Sequence, residues 1–125
     1  MTDKQNGRFA TKAQRHERAH YGAHARKLAV YVRERGVVTL ESAVRSMTSL
    51  PAAVFGLTDR GVIRPGAWAD LAVFDPNEIR DRATYTEPHH FAAGMAFVLV
   101  NGQVVIEDGT FTKAMPGRVL KRNAP

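Results

Sequence analysis

The sequence contains no cysteine among its 125 residues. This absence excludes a disulfide scaffold, a cysteine-ligated zinc site, an iron–sulfur cluster and a thiol nucleophile. The sequence also lacks an apolar run of the roughly 20 residues that a membrane-spanning helix needs. Its first twelve residues are polar, unlike a secretory signal. We therefore predict a cytoplasmic protein that makes no membrane contact.

The common catalytic and phosphate-binding motifs are missing as well. There is no Gly-rich phosphate loop, no G-x-S-x-G nucleophile elbow and no H-E-x-x-H metal motif. The composition that remains is globular, with 44% hydrophobic and 24% charged residues, which is too apolar for a disordered chain. This length allows one domain, or part of a larger one.

Positive charge is concentrated at the front of the chain. The whole sequence has a net charge of +6, and residues 1–35 alone carry nine basic and three acidic side chains, which also gives +6. We interpret residues 1–20 as a basic, disordered terminus, because blocks of like charge are usually solvated. The alternative is an arm that binds nucleic acid by neutralising its phosphates.

Apolar periodicity predicts two helices before residue 57. The first helix ends at Gly36, where a left-handed C-cap is favoured. One of its faces contains Tyr21, His24, Leu28, Tyr31 and Val32. The second begins at Thr39, a favourable N-cap residue, and runs through a short turn at Pro51 to Gly56. Its apolar face consists of Leu40, Ala43, Val44, Met47 and Leu50.

The rest of the chain has the pattern of strands. Residues 69–75 predict a strand buried on both faces, because apolar residues occupy alternate and intervening positions. A polar connection, residues 76–94, precedes two apolar runs joined by Asn101-Gly102, the residue pair typical of a type I′ hairpin turn. Asp108-Gly109 predicts a second turn before a short strand at 110–112. The predicted class is α+β, with helices followed by an antiparallel sheet.

Three of the five histidines have a spacing that metal sites use. His16, His20 and His24 lie at i, i+4 and i+8, so a helix would place them on one face. Helical metal sites usually add a carboxylate to the motif, and Glu17 lies about 100° around the helix from His16. A metal site and a solvated or packing role therefore both remain open for this triad.

The other candidate site residues lie in or beside the polar connection. His89 and His90 are adjacent in sequence, an arrangement that rarely chelates one ion, and we consider them as substrate-facing residues. Asp70 and Asp75 stand at the ends of a predicted strand. Carboxylates in such positions act more often as acceptors for turns and backbone N–H groups than as catalysts.

Several stretches of the chain together resemble one known family. TSLPAAVFGLTDRGVIRPGAWADLAVFDP, residues 48–76, resembles the C-terminal segment of the amidohydrolase superfamily, with the pattern T-x-x-P-A-x-x-x-G followed by G-x-I-x-x-G-x-x-A-D-L-x-V-x-D. Residues 82–109 and 115–122 resemble the tail of its N-acyl-D-amino-acid deacylase (D-aminoacylase) branch. Residues 21–47 are similar to the last barrel helices of the same enzymes.

This resemblance implies a TIM-type barrel with a metal centre, flanked by a small β-sandwich built from both ends of a longer chain. It implies that residues 21–56 are barrel-closing helices and residues 57–125 a portion of the sandwich. The metal ligands and the catalytic aspartate of that family precede the matching region. The resemblance therefore assigns no catalytic or metal residue to this chain, although it implies zinc for the full-length enzymes.

A TIM barrel needs about 250 residues, so we expect a C-terminal piece from a truncated gene, a frameshifted reading frame or a split subunit. The function implied is hydrolysis of the amide C–N bond of N-acyl-D-amino acids, with residues 84–94 at the active-site mouth. We expect the isolated chain to be inactive, and its partner to be a missing barrel fragment or a second copy. The alternative is a stand-alone small basic protein that binds nucleic acid or a protein through residues 1–35.

Overall fold

The computed structural model describes residues 22–121, so the predicted disorder of residues 1–20 lies outside the described part. The elements are α1 (Lys27–Glu34), α2 (Leu40–Met47), α3 (Ser49–Phe55), β1 (Leu71–Phe74), β2 (Met95–Val100), β3 (Gln103–Glu107) and β4 (Thr110–Phe111). The strands form one antiparallel sheet in the order β1-β2-β3-β4. The expectation of helices followed by an antiparallel sheet is confirmed.

Helix α1 continues a helical turn at residues 22–26 and has π-helical hydrogen bonding. At its end the N–H of Arg35 donates to the carbonyl of Val30, five residues back, at 2.9 Å. The buried residues of this helical stretch are Ala25, Leu28 and Ala29. Of the residues predicted to share one face, Leu28 is buried and Val32 packs against the core, whereas His24 and Tyr31 are exposed. The small alanines bring the helix close to its neighbours, and the polar tips of His24 and Tyr31 remain in solvent.

The boundaries of α2 and α3 follow local capping chemistry. Thr39 has an extended backbone, and its hydroxyl accepts a hydrogen bond from the N–H of Ser42 at 3.2 Å. Gly56 has a φ of +69°, and the N–H of Leu57 donates to the carbonyl of Ala52 at 2.8 Å, which is a Schellman arrangement. Both predicted caps are confirmed, and the predicted short turn is a separate helix.

The hairpin is the element that the sequence predicts best. Asn101 and Gly102 have φ angles of +49° and +81°, as a type I′ turn requires, and they join β2 to β3. Asp108 and Gly109, at +46° and +73°, form the second turn. Strand β4 ends at Phe111, one residue earlier than predicted.

Strand β1 corrects the prediction of burial on both faces. Leu71 and Phe74 are half-buried, whereas Ala72 and Val73 are exposed, Val73 to 48%. Strand β1 stands at one edge of the sheet, and Phe74 is the residue through which it packs on the core. Apolar composition alone therefore overestimated the burial of this strand within the described residues.

The core joins the helices to the sheet through the connection between β1 and β2. Its buried members are Ala25, Leu28, Ala43 and Ile79, and partly buried residues pack around them: Val32, Val38, Leu40, Met47, Phe74, Ala92 and Met95. Val44 of α2 and Leu50 of α3 are instead exposed, so this core contacts a narrower apolar stripe than predicted. Arg33 Nη1 donates to the carbonyls of Pro76 at 2.8 Å and Ile79 at 2.9 Å. No helix within residues 22–121 is long and apolar enough to cross a membrane.

Candidate functional site

His24 is the member of the predicted histidine triad that the structure describes, and it is exposed on the helical turn at residues 22–26. His16 and His20 lie outside the described residues, so the three-histidine face stays a prediction. Among residues 22–121, no three His, Asp or Glu side chains come together as metal ligands.

The connection that carries His89 and His90 is anchored at its base. Arg80 and Ala93 pair through two backbone hydrogen bonds of 3.0 Å each. Gly94 follows with a φ of +89°, and a Cβ at this position would lie 2.6 Å from the Cα of Ile79. Because Ile79 is 1% exposed within the core, the base of the connection is fixed relative to the helices.

The tip of the same connection is a hydrogen-bonded turn. The N–H of Thr84 donates to the carbonyl of Glu87 at 3.0 Å, and the N–H of Glu87 donates to the Thr84 hydroxyl at 2.9 Å. Nε2 of His90 lies 3.4 Å from Oε2 of Glu87, and His89 is exposed. One short, anchored segment therefore carries both imidazoles and a carboxylate.

Asp81 brings the start of this connection against the first helical turn. Its Oδ1 accepts a hydrogen bond from the N–H of Ala83 at 2.8 Å. A Cβ added at the buried Gly22 would lie 1.9 Å from that oxygen. A larger residue at position 22 would displace the Asp81 side chain, so this contact couples the helical turn to the connection.

The aspartates at the ends of β1 are structural acceptors, as predicted. Oδ1 of Asp75 accepts a hydrogen bond from the N–H of Asn77 at 2.7 Å. Oδ1 of Asp70 accepts one from the N–H of Asn101 at 2.7 Å, and its Oδ2 forms an ion pair with Arg60.

Sequence reasoning missed a polar cluster beside the hairpin turn. The Arg60 side chain is 9% exposed, and besides its ion pair with Asp70 it donates from Nη2 to Oδ1 of Asn101 at 2.8 Å. The guanidinium carbons of Arg60 and Arg118 lie 5.4 and 5.2 Å from the centre of the Trp68 ring. Arg60 and Asn101 are 41 residues apart, and Arg118 is still farther from Trp68, so no local motif predicts the cluster.

An open apolar groove of about 280 Å³ lies at the end of α3. Its lining residues are Val54, Phe55, Leu57 and Leu120. We call it the α3 groove. Val54 and Phe55 are 70% and 66% exposed there, although both belong to a helix whose other side packs inward.

The sequence and the fold identify the class of protein. The model of the amidohydrolase family matches residues 1–106, which is most of the chain, and the chain belongs to this family. Over 104 residues it is 49% identical to the N-acyl-D-glutamate deacylase of Alcaligenes xylosoxydans xylosoxydans, an alignment that covers 83% of this chain and 21% of that relative. The chain thus spans about a fifth of the length of the curated relatives it matches.

Two solved structures have the same fold over this region. A crystal structure of D-aminoacylase matches with a TM-score of 0.78 and 50% identity, covering 81% of this chain and 21% of that one. The N-acyl-D-glutamate deacylase from Bordetella bronchiseptica, in complex with zinc and a phosphonate mimic of the tetrahedral intermediate, matches with a TM-score of 0.73 and 51% identity. It covers 80% of this chain and 21% of that one.

The described residues of this chain do not by themselves form a binding site for the metals of these relatives. D-aminoacylase has a binuclear metal centre. A catalytic zinc takes about three protein ligands in a fixed geometry, and residues 22–121 do not bring three candidate ligands together.

Proposed function

We propose that this chain forms the C-terminal part of a metal-dependent N-acyl-D-amino-acid deacylase. The observation that carries the proposal is the match to D-aminoacylase, at a TM-score of 0.78 and 50% identity over 81% of the chain. In this proposal residues 21–56 close a TIM-type barrel, and residues 57–125 are the C-terminal portion of a β-sandwich. The packing of Ile79 with Leu28 and Ala43 supports a fixed arrangement of the two parts.

The complete enzyme hydrolyses the amide C–N bond of an N-acyl-D-amino acid and releases a carboxylate and a D-amino acid. The names of the relatives, N-acyl-D-glutamate deacylase and D-aminoacylase, support this substrate class. The zinc in the Bordetella bronchiseptica enzyme supports zinc as the metal. We assign its ligands to side chains other than those of residues 22–121, because no candidate triad forms among them.

We place residues 84–94 at the mouth of the active site, with His89 and His90 facing the substrate. Binding residues are often carried by loops that a rigid scaffold positions, and this segment is anchored at Arg80 and Ala93 while its tip is exposed. An imidazole N–H is a suitable donor to the carboxylate of the substrate.

A chimeric enzyme tests the assignment of function. Residues 21–121 of this chain replace the matching segment of the D-aminoacylase of Alcaligenes xylosoxydans xylosoxydans, and the same enzyme without that segment is the control. We expect the chimera to bind zinc and to hydrolyse an N-acyl-D-amino acid in a chelator-sensitive reaction. The isolated 125-residue chain with added zinc should not do so. A folded, zinc-loaded chimera without deacylase activity would contradict the proposal, as would zinc-dependent deacylation by the isolated chain.

The two histidines are tested in the same chimera. His89→Ala and His90→Ala should each raise KM by about fivefold with little change in kcat, the loss expected for one hydrogen bond to the bound substrate. Unchanged KM values in both variants would show that the connection does not face the substrate.

A further inference from the structure

Residues 112–121 run along the molecule without helix or strand, and we call them the C-terminal strap. The strap leaves the sheet at Thr112, whose N–H donates to the carbonyl of Val105 at 3.0 Å and whose hydroxyl donates to the carbonyl of Val104 at 2.8 Å. Farther along, Met115 and Val119 are 89% and 92% exposed. Beyond Thr112, therefore, neither Met115 nor Val119 holds the strap against the body.

Three contacts hold the far end of the strap. Nδ2 of Asn101 donates to the carbonyl of Pro116 at 2.7 Å. The guanidinium of Arg118 stacks over Trp68 at 5.2 Å. The side chain of Leu120 lines the α3 groove. The three contacts are of different kinds, and each joins one strap residue to a different part of the body.

Asn101 and Trp68, two partners of the strap on the body, also have contacts that do not involve the strap. Asn101 is also held by Arg60, through its Oδ1 at 2.8 Å, and by Asp70, through its N–H at 2.7 Å. Trp68 is also stacked by Arg60 at 5.4 Å. Loss of the strap contacts therefore leaves Asn101 and Trp68 with their contacts to Arg60.

We propose that the strap opens and closes as one unit, with Arg118 on Trp68 as its latch, while the four-stranded sheet stays folded. The hinge is Lys113, which follows the last hydrogen bonds to β3 and has a left-handed backbone with φ of +67°. When the strap opens, Trp68 and the α3 groove become more exposed. This inference stands independently of the deacylase function.

Trp68 is the single tryptophan of the sequence, so its fluorescence reports on the latch. The full chain is studied below the concentration at which it associates, with three substitutions that each remove one strap contact: Arg118→Leu, Asn101→Asp and Leu120→Ala. Aspartate at 101 keeps an acceptor for Arg60 and tolerates the positive φ, but it loses the donor to Pro116. Arg82→Leu, which replaces an exposed arginine outside the strap, is the matched control.

Each strap variant should increase the acrylamide quenching of Trp68 and raise the rate of tryptic cleavage after Lys113. For Arg118→Leu we expect an increase in that rate of about threefold, the effect of losing one exposed cation–π contact. The thermal midpoint of the sheet, followed by far-UV circular dichroism, should not change. Arg82→Leu should affect none of these measurements.

If Asn101→Asp and Leu120→Ala leave Trp68 quenching unchanged, the strap does not move as a unit. If the strap variants lower the thermal midpoint together with the quenching change, the strap is part of the main cooperative fold. Either result would overturn the proposal.

Discussion

Gly94 and Gly102 both have positive φ angles, of +89° and +81°, yet their surroundings differ. A Cβ at Gly94 would lie 2.6 Å from the Cα and from the N of Ile79, whereas nothing lies within 4 Å of a Cβ at Gly102. An L-residue in the left-handed region costs roughly 1–2 kcal/mol. At Gly94 that cost is joined by a collision with backbone that the core holds in place.

We expect Gly102→Ala to lower the free energy of unfolding by about 1 kcal/mol and Gly94→Ala by at least about twice that amount. Urea unfolding of the two variants, followed by circular dichroism under identical conditions, measures the difference. Equal losses would show that the chain at Ile79 can move away from residue 94.

For single residues, the sequence predicts a role correctly where that role depends on neighbours in the chain. The Asn101-Gly102 turn and the Gly56 cap involve residues within a few positions, and both are confirmed. The role of Arg60 depends on Asp70 and Asn101, which are 10 and 41 residues away. Such partners become apparent only when the sheet brings the loops together.

Helix α2 depends on its N-terminal cap, because it is only eight residues long and isolated helices of that length are unstable. The Thr39 hydroxyl accepts the hydrogen bond from the N–H of Ser42. We expect Thr39→Ala to lower the free energy of unfolding by about 1 kcal/mol, and Thr39→Ser to retain most of the stability. Urea unfolding of both variants checks this. A serine variant as unstable as the alanine variant would show that the methyl group, and not the cap, is what matters.

Two elements show why the remainder of the fold could not be predicted. Along the helical turn at residues 22–26 and α1, Ala25 and Ala29 pack inward, whereas the larger His24 and Tyr31 are exposed. The apolar pattern of β1 predicts burial on both faces, but Ala72 and Val73 are exposed. Periodicity shows that a surface is apolar, but it does not identify the surface that covers it. The candidate site is limited in the same way, since periodicity does not predict that His89 is exposed while the adjacent His90 is half-buried.

All of the net charge of +6 lies within residues 1–35, a range that extends from the N-terminus through α1. We expect deletion of residues 1–12 to shift the thermal midpoint by less than about 4 °C, which corresponds to roughly 1 kcal/mol for a domain of this size. The reason is that this segment has no apolar face to lose. A larger drop would show that the segment packs on the body. DNA binding that weakens with salt and disappears with the deletion would instead support the nucleic-acid function.

The described part of the molecule also leaves large apolar side chains exposed: Val54, Phe55, Ile63, Phe91, Met115 and Val119. Burying one such side chain is worth about 1.5–3 kcal/mol, against a total stability of about 5–15 kcal/mol for a domain. Within residues 22–121, β1 pairs on one side only, and its residues Leu71–Phe74 include no lysine or proline that would discourage a further strand.

We therefore expect the isolated 125-residue chain to self-associate at concentrations on the order of 10 µM, since exposed apolar surface and strand edges aggregate in this range. Sedimentation velocity over a concentration series measures the association. Co-expression with the part of D-aminoacylase that precedes the matching segment should convert the chain into a complex of defined mass, because we propose that the barrel covers these surfaces in the complete enzyme. A monomer that melts cooperatively at this concentration would contradict the expectation. It would mean that the helices and the sheet bury enough of each other to form an independent domain.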